Sequence, residues 1–128
     1  MKWYTHLTCI TLILATLTKF FPLTVGFILF SLLGSLLPDL LESWLGLPHR
    51  SKYVHNFAIG VLLIPLGSFS EWLLALGIGY LHHLVLDVAT VTGSYICNQR
   101  VRGPLKTCNL AHNMIIVLAH TLLLLALV

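Results

Sequence analysis

Charge is what this sequence lacks. Only 9% of its 128 residues are Asp, Glu, Lys or Arg, where a soluble domain of this length carries about 25%. Against that scarcity stand 58% hydrophobic residues and a mean hydropathy of +0.95. So few charges cannot clothe a water-facing surface, which points to an integral membrane protein with the lipid bilayer as its first partner. The net charge of +3 is then a report on topology rather than on nucleic acid, and no direct nucleic-acid partner is expected. Paired cysteines are also missing. Cys9, Cys97 and Cys108 form no C-x-x-C and no metal-ribbon spacing, which excludes a cysteine-based zinc module. Low-complexity stretches and internal repeats are absent as well, so a single small domain over residues 1–128 is expected.

What is there falls into five apolar segments, roughly 4–20, 22–46, 53–68, 71–94 and 109–128. Pro22 suits the start of the second and Gly46 its end. Pro65 marks a kink near the end of the third. A membrane crossing takes about 20 apolar residues. The second, fourth and fifth segments meet that length, while the first and third are shorter and could tilt or dip in. The fold class expected is all-α, a polytopic membrane bundle of four to five transmembrane helices. Lys2 before an apolar core also resembles a signal peptide, yet no small-x-small cleavage site follows. If the segments alternate in direction, Lys2, Arg50, Lys52, Arg100, Arg102 and Lys106 share one side, leaving Lys19 opposite. The positive-inside rule then puts those loops in the cytoplasm of a multi-pass protein of the cell (inner or plasma) membrane.

The few ionisable groups lean to that same side. His6 opens the first segment, Asp39 and Glu42 close the second, and His49 and His55 flank the loop before the third. His83 and Asp87 lie late in the fourth, and His112 early in the fifth. Tyr80, His83, Asp87, Thr90 and Ser94 fall on one helical face, and Ser31, Ser35, Asp39 and Glu42 on another. Such stripes must turn inward, because a charge in hydrocarbon costs several kcal/mol. His83 and Asp87, one turn apart, can grip one cation. Imidazole nitrogen and carboxylate oxygen suit zinc, with manganese or iron as alternatives. Asp39, His55 and His6 join them as candidate ligands. His82 and His112 stand as outer-sphere or substrate groups, His120 as a core residue and Glu71 as a cap or interfacial charge.

Taken together, His6, LLPD (36–39), HR (49–50), HN (55–56) and GYLHHLVLDVATVTG resemble the YdjM-like family, small inner-membrane proteins assigned as metal-dependent hydrolases. The last motif matches the family's G-Y-L-x-H-x-x-x-D-x-x-T-x-x-G at Gly79, Tyr80, Leu81, His83, Asp87, Thr90 and Gly93. The resemblance covers most of residues 1–94 and carries over His6, Asp39, His49, His55, His83 and Asp87. Two departures stand out. PDLLE replaces the family's P-D-x-D-H, and HRSKYVHN spaces its histidines six apart and lacks the motif glycine. The order of ligands is also similar to that of the zinc-dependent phospholipase C and single-strand nuclease superfamily. That likeness implies phosphodiester chemistry, with Arg50 and Lys52 available to bind phosphate.

The function these features imply is a metal-dependent hydrolase near the cytoplasmic membrane face. Metal-activated water would attack a phosphoester, of a phospholipid or another lipid-linked phosphate, with Glu42 or His49 moving protons. Two other classes fit the same residues. One is a component of a metal- or proton-conducting transporter. The other is a structural or partner-binding membrane protein stapled by a metal.

Overall fold

The computed structural model describes residues 2–127, so Met1 and the last residue of the fifth apolar segment lie outside the described residues. Five helices and one short hairpin follow in order: α1 Trp3–Leu17, α2 Val25–Leu45, α3 Phe57–Leu66, α4 Glu71–Val88, β1 Ser94–Ile96, β2 Gln99–Val101 and α5 Leu110–Ala126. Capping sets most of the starts. Thr24, Asn56, Ser70 and Asn109 each precede a helix and accept a backbone N–H of its first turn, satisfying donors that a helix start leaves open. α2 stops at Gly46, which takes a left-handed φ of 62°.

α2 and α4 form the central pair and run in the same direction. Thr24 Oγ1 donates to Glu71 near one end, and the Ser35 carbonyl meets the His83 ring toward the other. Two glycines let the backbones approach. A Cβ on Gly34 would overlap the Leu76 carbonyl, and one on Gly79 would overlap that of Ser31. α3 returns along α4 with Gly60 against Tyr80 and Leu81. α1 crosses both central helices, and α5 covers α1, where Cys9, Leu86 and Ile116 make a small core.

The five residues of the expected polar stripe are all buried, although only Tyr80, His83 and Asp87 lie on α4, with Thr90 just past its end and Ser94 on β1. Tyr80, His83, Asp87, Thr90 and Ser94 are all at 0% exposure, as the inward-facing reading of the stripe requires.

The expected polytopic bundle is not upheld. Among the described residues only α2 is long and apolar enough to cross a membrane, with a mean hydropathy of 1.7. α1, α3 and α5 are apolar but have 15, 10 and 17 residues, short of the roughly 20 a crossing takes. α4 has 18 residues but carries Glu71, His82, His83 and Asp87, and it does not pass as a span. Multi-pass insertion is therefore not supported, and the sidedness read from alternating segments loses its basis.

The fourth apolar segment also ends earlier than its apolar run suggests. Thr90 N–H and Oγ1–H both turn back onto the Asp87 carbonyl, and the β-branched run Thr90-Val91-Thr92 disfavours further helix. Gly93, at φ 68°, then redirects the chain into the antiparallel β1–β2 hairpin, with Tyr95 opposite Arg100. Its turn at Cys97 and Asn98 is closed by a left-handed Cys97, φ 54°. The hairpin docks on the loop before α3. Tyr95 N–H donates to the His55 carbonyl at 2.8 Å, and Asn56 Nδ2 donates to the Cys97 carbonyl at 2.7 Å.

Candidate metal centre

The start of α1, the ends of α2 and α4, and the loop before α3 meet at one end of the molecule. Their polar side chains converge there. His83 is fixed first. Its Nδ1 lies 2.7 Å from the Ser35 carbonyl, an acceptor only, so that nitrogen carries the proton and Nε2 presents its lone pair. His55 is fixed in the same sense from the other side. Its Nδ1 lies 2.6 Å from Glu42 Oε1, which leaves His55 Nε2 as a second lone pair. Glu42 is itself buried and accepts the Ser51 N–H at 2.6 Å.

The two unprotonated nitrogens face each other at 3.3 Å. Asp39 Oδ1 lies 3.3 Å from the first, on His55, and 3.8 Å from the second, on His83. Three such atoms at these separations are held together by a shared proton or by a cation among them. A tetrahedral ion with bonds of about 2.0–2.1 Å sets its ligand atoms about 3.3–3.4 Å apart, which the two 3.3 Å spacings match and the 3.8 Å one exceeds. Carboxylate or carbonyl oxygens on the distal ring nitrogens are also the usual outer partners of metal-ligating histidines.

Asp87 adjoins this trio. Its Oδ2 lies 2.9 Å from His83 Nε2 and 3.6 Å from His55 Nε2, and its Oδ1 lies 3.4 Å from His6 Nε2. The His6 ring stacks on His83, centroids 3.9 Å apart. Two groups that could hold a metal ion result, Asp39–His55–His83 and His6–His83–Asp87, sharing His83. Burial holds the His6 and His83 imidazoles well below their ordinary titration range, so both are neutral, as metal ligation requires.

Arg50 and Lys52 part company. Arg50 turns inward and pairs with Asp87, its side chain almost fully buried. Burial pulls the guanidinium below its usual value, opposed by the charges of Asp39 and Glu42. Its backbone is left-handed, φ 62°, which a non-glycine residue adopts only when its surroundings insist. Lys52 is exposed, with its ammonium over the Tyr53 ring. His49 is at the rim, its side chain 72% exposed and its Nδ1 3.4 Å from Glu42 Oε2.

The remaining histidines stay outside the cluster. His82 Nε2 lies 3.3 Å from His120 Nε2, and His112 Nδ1 accepts the Lys106 N–H at 2.8 Å. Sequence reasoning did not assign roles to Ser35, whose carbonyl orients His83, or to Tyr80, whose hydroxyl donates to the Val54 carbonyl and ties down the loop carrying His55. Their membership of the two polar stripes was the available signal.

Two clefts open beside Asp39. One, of about 380 Å3, is lined by Trp3, Leu36, Asp39 and Leu40. The other, of about 320 Å3, is lined by Asp39, Glu42, Ser43, Leu47 and His49. No family model, curated protein or solved structure matches the chain.

Proposed function

We propose that this protein is a membrane-associated, metal-dependent hydrolase of phosphoesters, with zinc held by Asp39, His55 and His83, and with Asp87 and His6 beside them. The observation that carries the reading is the convergence of two imidazole nitrogens and a carboxylate oxygen within 3.8 Å of one another. The chemistry such an ion supplies is Lewis-acid activation of water for attack on a phosphoryl centre. The protein's own groups do the rest. Ser35 and Glu42 hold the two imidazoles in the ligating tautomer. Arg50 balances the buried charge of Asp87. His49, at the rim and in contact with Glu42, moves protons between the site and solvent. Asp39 is the most accessible of the five candidate ligands, its side chain 32% exposed, so a substrate reaches the centre from that side.

The resemblance to the YdjM-like family in GYLHHLVLDVATVTG supports the hydrolase class. Membrane association rests on α2. A helix from the core of a soluble protein can pass the same length and hydropathy test, but it would be mostly buried. Only 28% of the α2 window is buried, and Val25, Leu29, Leu33, Leu40 and Trp44 present large apolar side chains outward. We place the protein in the cell membrane through this one helix, with the metal-binding residues Asp39 and Glu42's partner His55 gathered around its last two turns.

The test is turnover. Protein stripped with a chelator and reloaded separately with zinc, manganese or iron is assayed on bis(p-nitrophenyl) phosphate. Hydrolysis restored by one of these ions and abolished in Asp39→Asn is the expected result. Stoichiometric metal with no turnover contradicts the hydrolase assignment and leaves the metal as a structural staple.

A further inference from the structure

The two clefts beside the candidate centre differ in chemistry and share one residue. The first has an apolar wall of Trp3, Leu36 and Leu40, and the second, beside Leu47, adds the polar side chains of Glu42, Ser43 and His49. Asp39 belongs to both, and its Oδ1 is the oxygen facing His55 and His83. That oxygen is buried, while the Asp39 side chain as a whole is 32% exposed, so a molecule filling both clefts must pass over the outer part of the Asp39 carboxylate. Trp3 and Leu40 are 62% and 50% exposed, so the apolar cleft is open along its length. Leu33, Leu40 and Trp44 continue its apolar character along the outer face of α2, the one helix among the described residues long and apolar enough to cross a membrane.

We propose that the substrate is an amphiphile, a long-chain alkyl phosphodiester. Its chain occupies the Trp3–Leu36–Leu40 cleft, its phosphate lies over Asp39, and its polar leaving group lies beside Ser43 and His49. This deepens the hydrolase reading and rests on it for the chemical step. Each cleft alone is at the small end of the volumes that hold a ligand, about 300–1,000 Å3, and the two in line suit one extended molecule. In the reaction a water oxygen forms the new P–O bond and the P–O bond to the polar group breaks. One water proton leaves with the departing alcohol, and the alkyl phosphate stays in the apolar cleft. The chain supplies binding that a short ester cannot, because burying each methylene is favourable.

The experiment uses full-length, zinc-loaded protein in maltoside micelles and p-nitrophenyl alkyl phosphates with ethyl, octyl and dodecyl chains. The expected kcat/KM rises about tenfold or more from ethyl to dodecyl, mainly through KM. Micelles take up the dodecyl ester equally for every variant, so the decisive quantity is how that ratio changes. Leu40→Ser and Trp3→Ala, both at exposed positions, are expected to lower it at least threefold with metal content retained. Turnover with no chain-length dependence overturns the amphiphile, and a ratio unmoved by both variants overturns the cleft. A parallel arm measures binding of dodecyl and ethyl phosphate to the same samples by calorimetry. If metal is bound and no ester is turned over, the hydrolase reading fails by itself. The chain-binding cleft then stands on dodecyl phosphate binding about tenfold tighter than ethyl phosphate with the gap narrowed in Leu40→Ser, and equal binding of the two overturns it.

Discussion

His55 Nε2 and His83 Nε2 face each other across 3.3 Å, and each ring has an acceptor oxygen of α2 beside its Nδ1, which favours the proton there. Glu42 does this for His55 from the end of α2, and the Ser35 carbonyl does it for His83 from the middle of the same helix. One helix therefore sets both tautomers and also supplies Asp39. The consequences can be measured one residue at a time.

Glu42→Gln keeps the shape but removes the negative charge that faces His55 Nδ1. Metal affinity should fall about 10–100-fold, the usual effect of losing an outer carboxylate, while the helical content stays unchanged. A zinc titration against a competing chelator, followed by circular dichroism, checks both parts.

Gly79→Ala tests the close approach of α2 and α4. The new methyl would overlap the Ser31 carbonyl, a backbone atom that cannot swing aside. The helices must separate at a cost of about 1–3 kcal/mol, and Ser35 moves away from His83. A lower melting temperature together with weaker zinc binding is expected. Gly46→Ala, at a site with open space around it, carries only the left-handed backbone strain and should spare zinc binding.

Arg50→Ala removes the buried cation beside Asp87. Breaking such a pair typically costs about 3–5 kcal/mol, so the metal-free protein should melt well below wild type. Arg50→Lys should recover part of the loss. Thermal unfolding of the three proteins in one detergent decides it.

Acid sensitivity follows from the neutral histidines. Burial holds His6 and His83 well below the ordinary 6.5, and burial together with His120 brings His82 down to about 4. The unfolded chain takes up protons at about 6.5 while the folded chain does not. Stability of the metal-free protein is therefore full above pH 6.5 and declines as the pH falls from 6.5 toward 4. A melting temperature that rises over that fall would contradict the burial of these groups. Replacing His82 with Asn should flatten part of the decline.

How far the sequence alone could lead is clear from particular residues. The spacing of Tyr80, His83 and Asp87 identified a buried helical face, because helical periodicity is a local property; Thr90 and Ser94, read as its continuation, are buried too but lie past the helix end, Ser94 on β1. Membrane crossings were overcounted because the length of each apolar run was taken as the length of its helix. Leu17 ends α1 and Val88 ends α4, through turn chemistry at Thr18 and Thr90 that hydropathy does not register. The β1–β2 hairpin was missed for the same reason, with Gly93 and the β-branched run before it as the only local cues. The inward turn of Arg50 was beyond reach, since a left-handed arginine is set by the buried Asp87 it meets and by nothing adjacent in the chain.

Metal content is the most direct test of the central claim. Protein purified in detergent, loaded with zinc and desalted, is analysed by elemental mass spectrometry for wild type, His83→Ala, Asp39→Asn and His82→Ala. Near-stoichiometric zinc in wild type and His82→Ala, with a loss of about tenfold or more in His83→Ala and Asp39→Asn, is the result this account predicts. Equal zinc in all four proteins, or none in wild type after loading with zinc, manganese or iron, would contradict it.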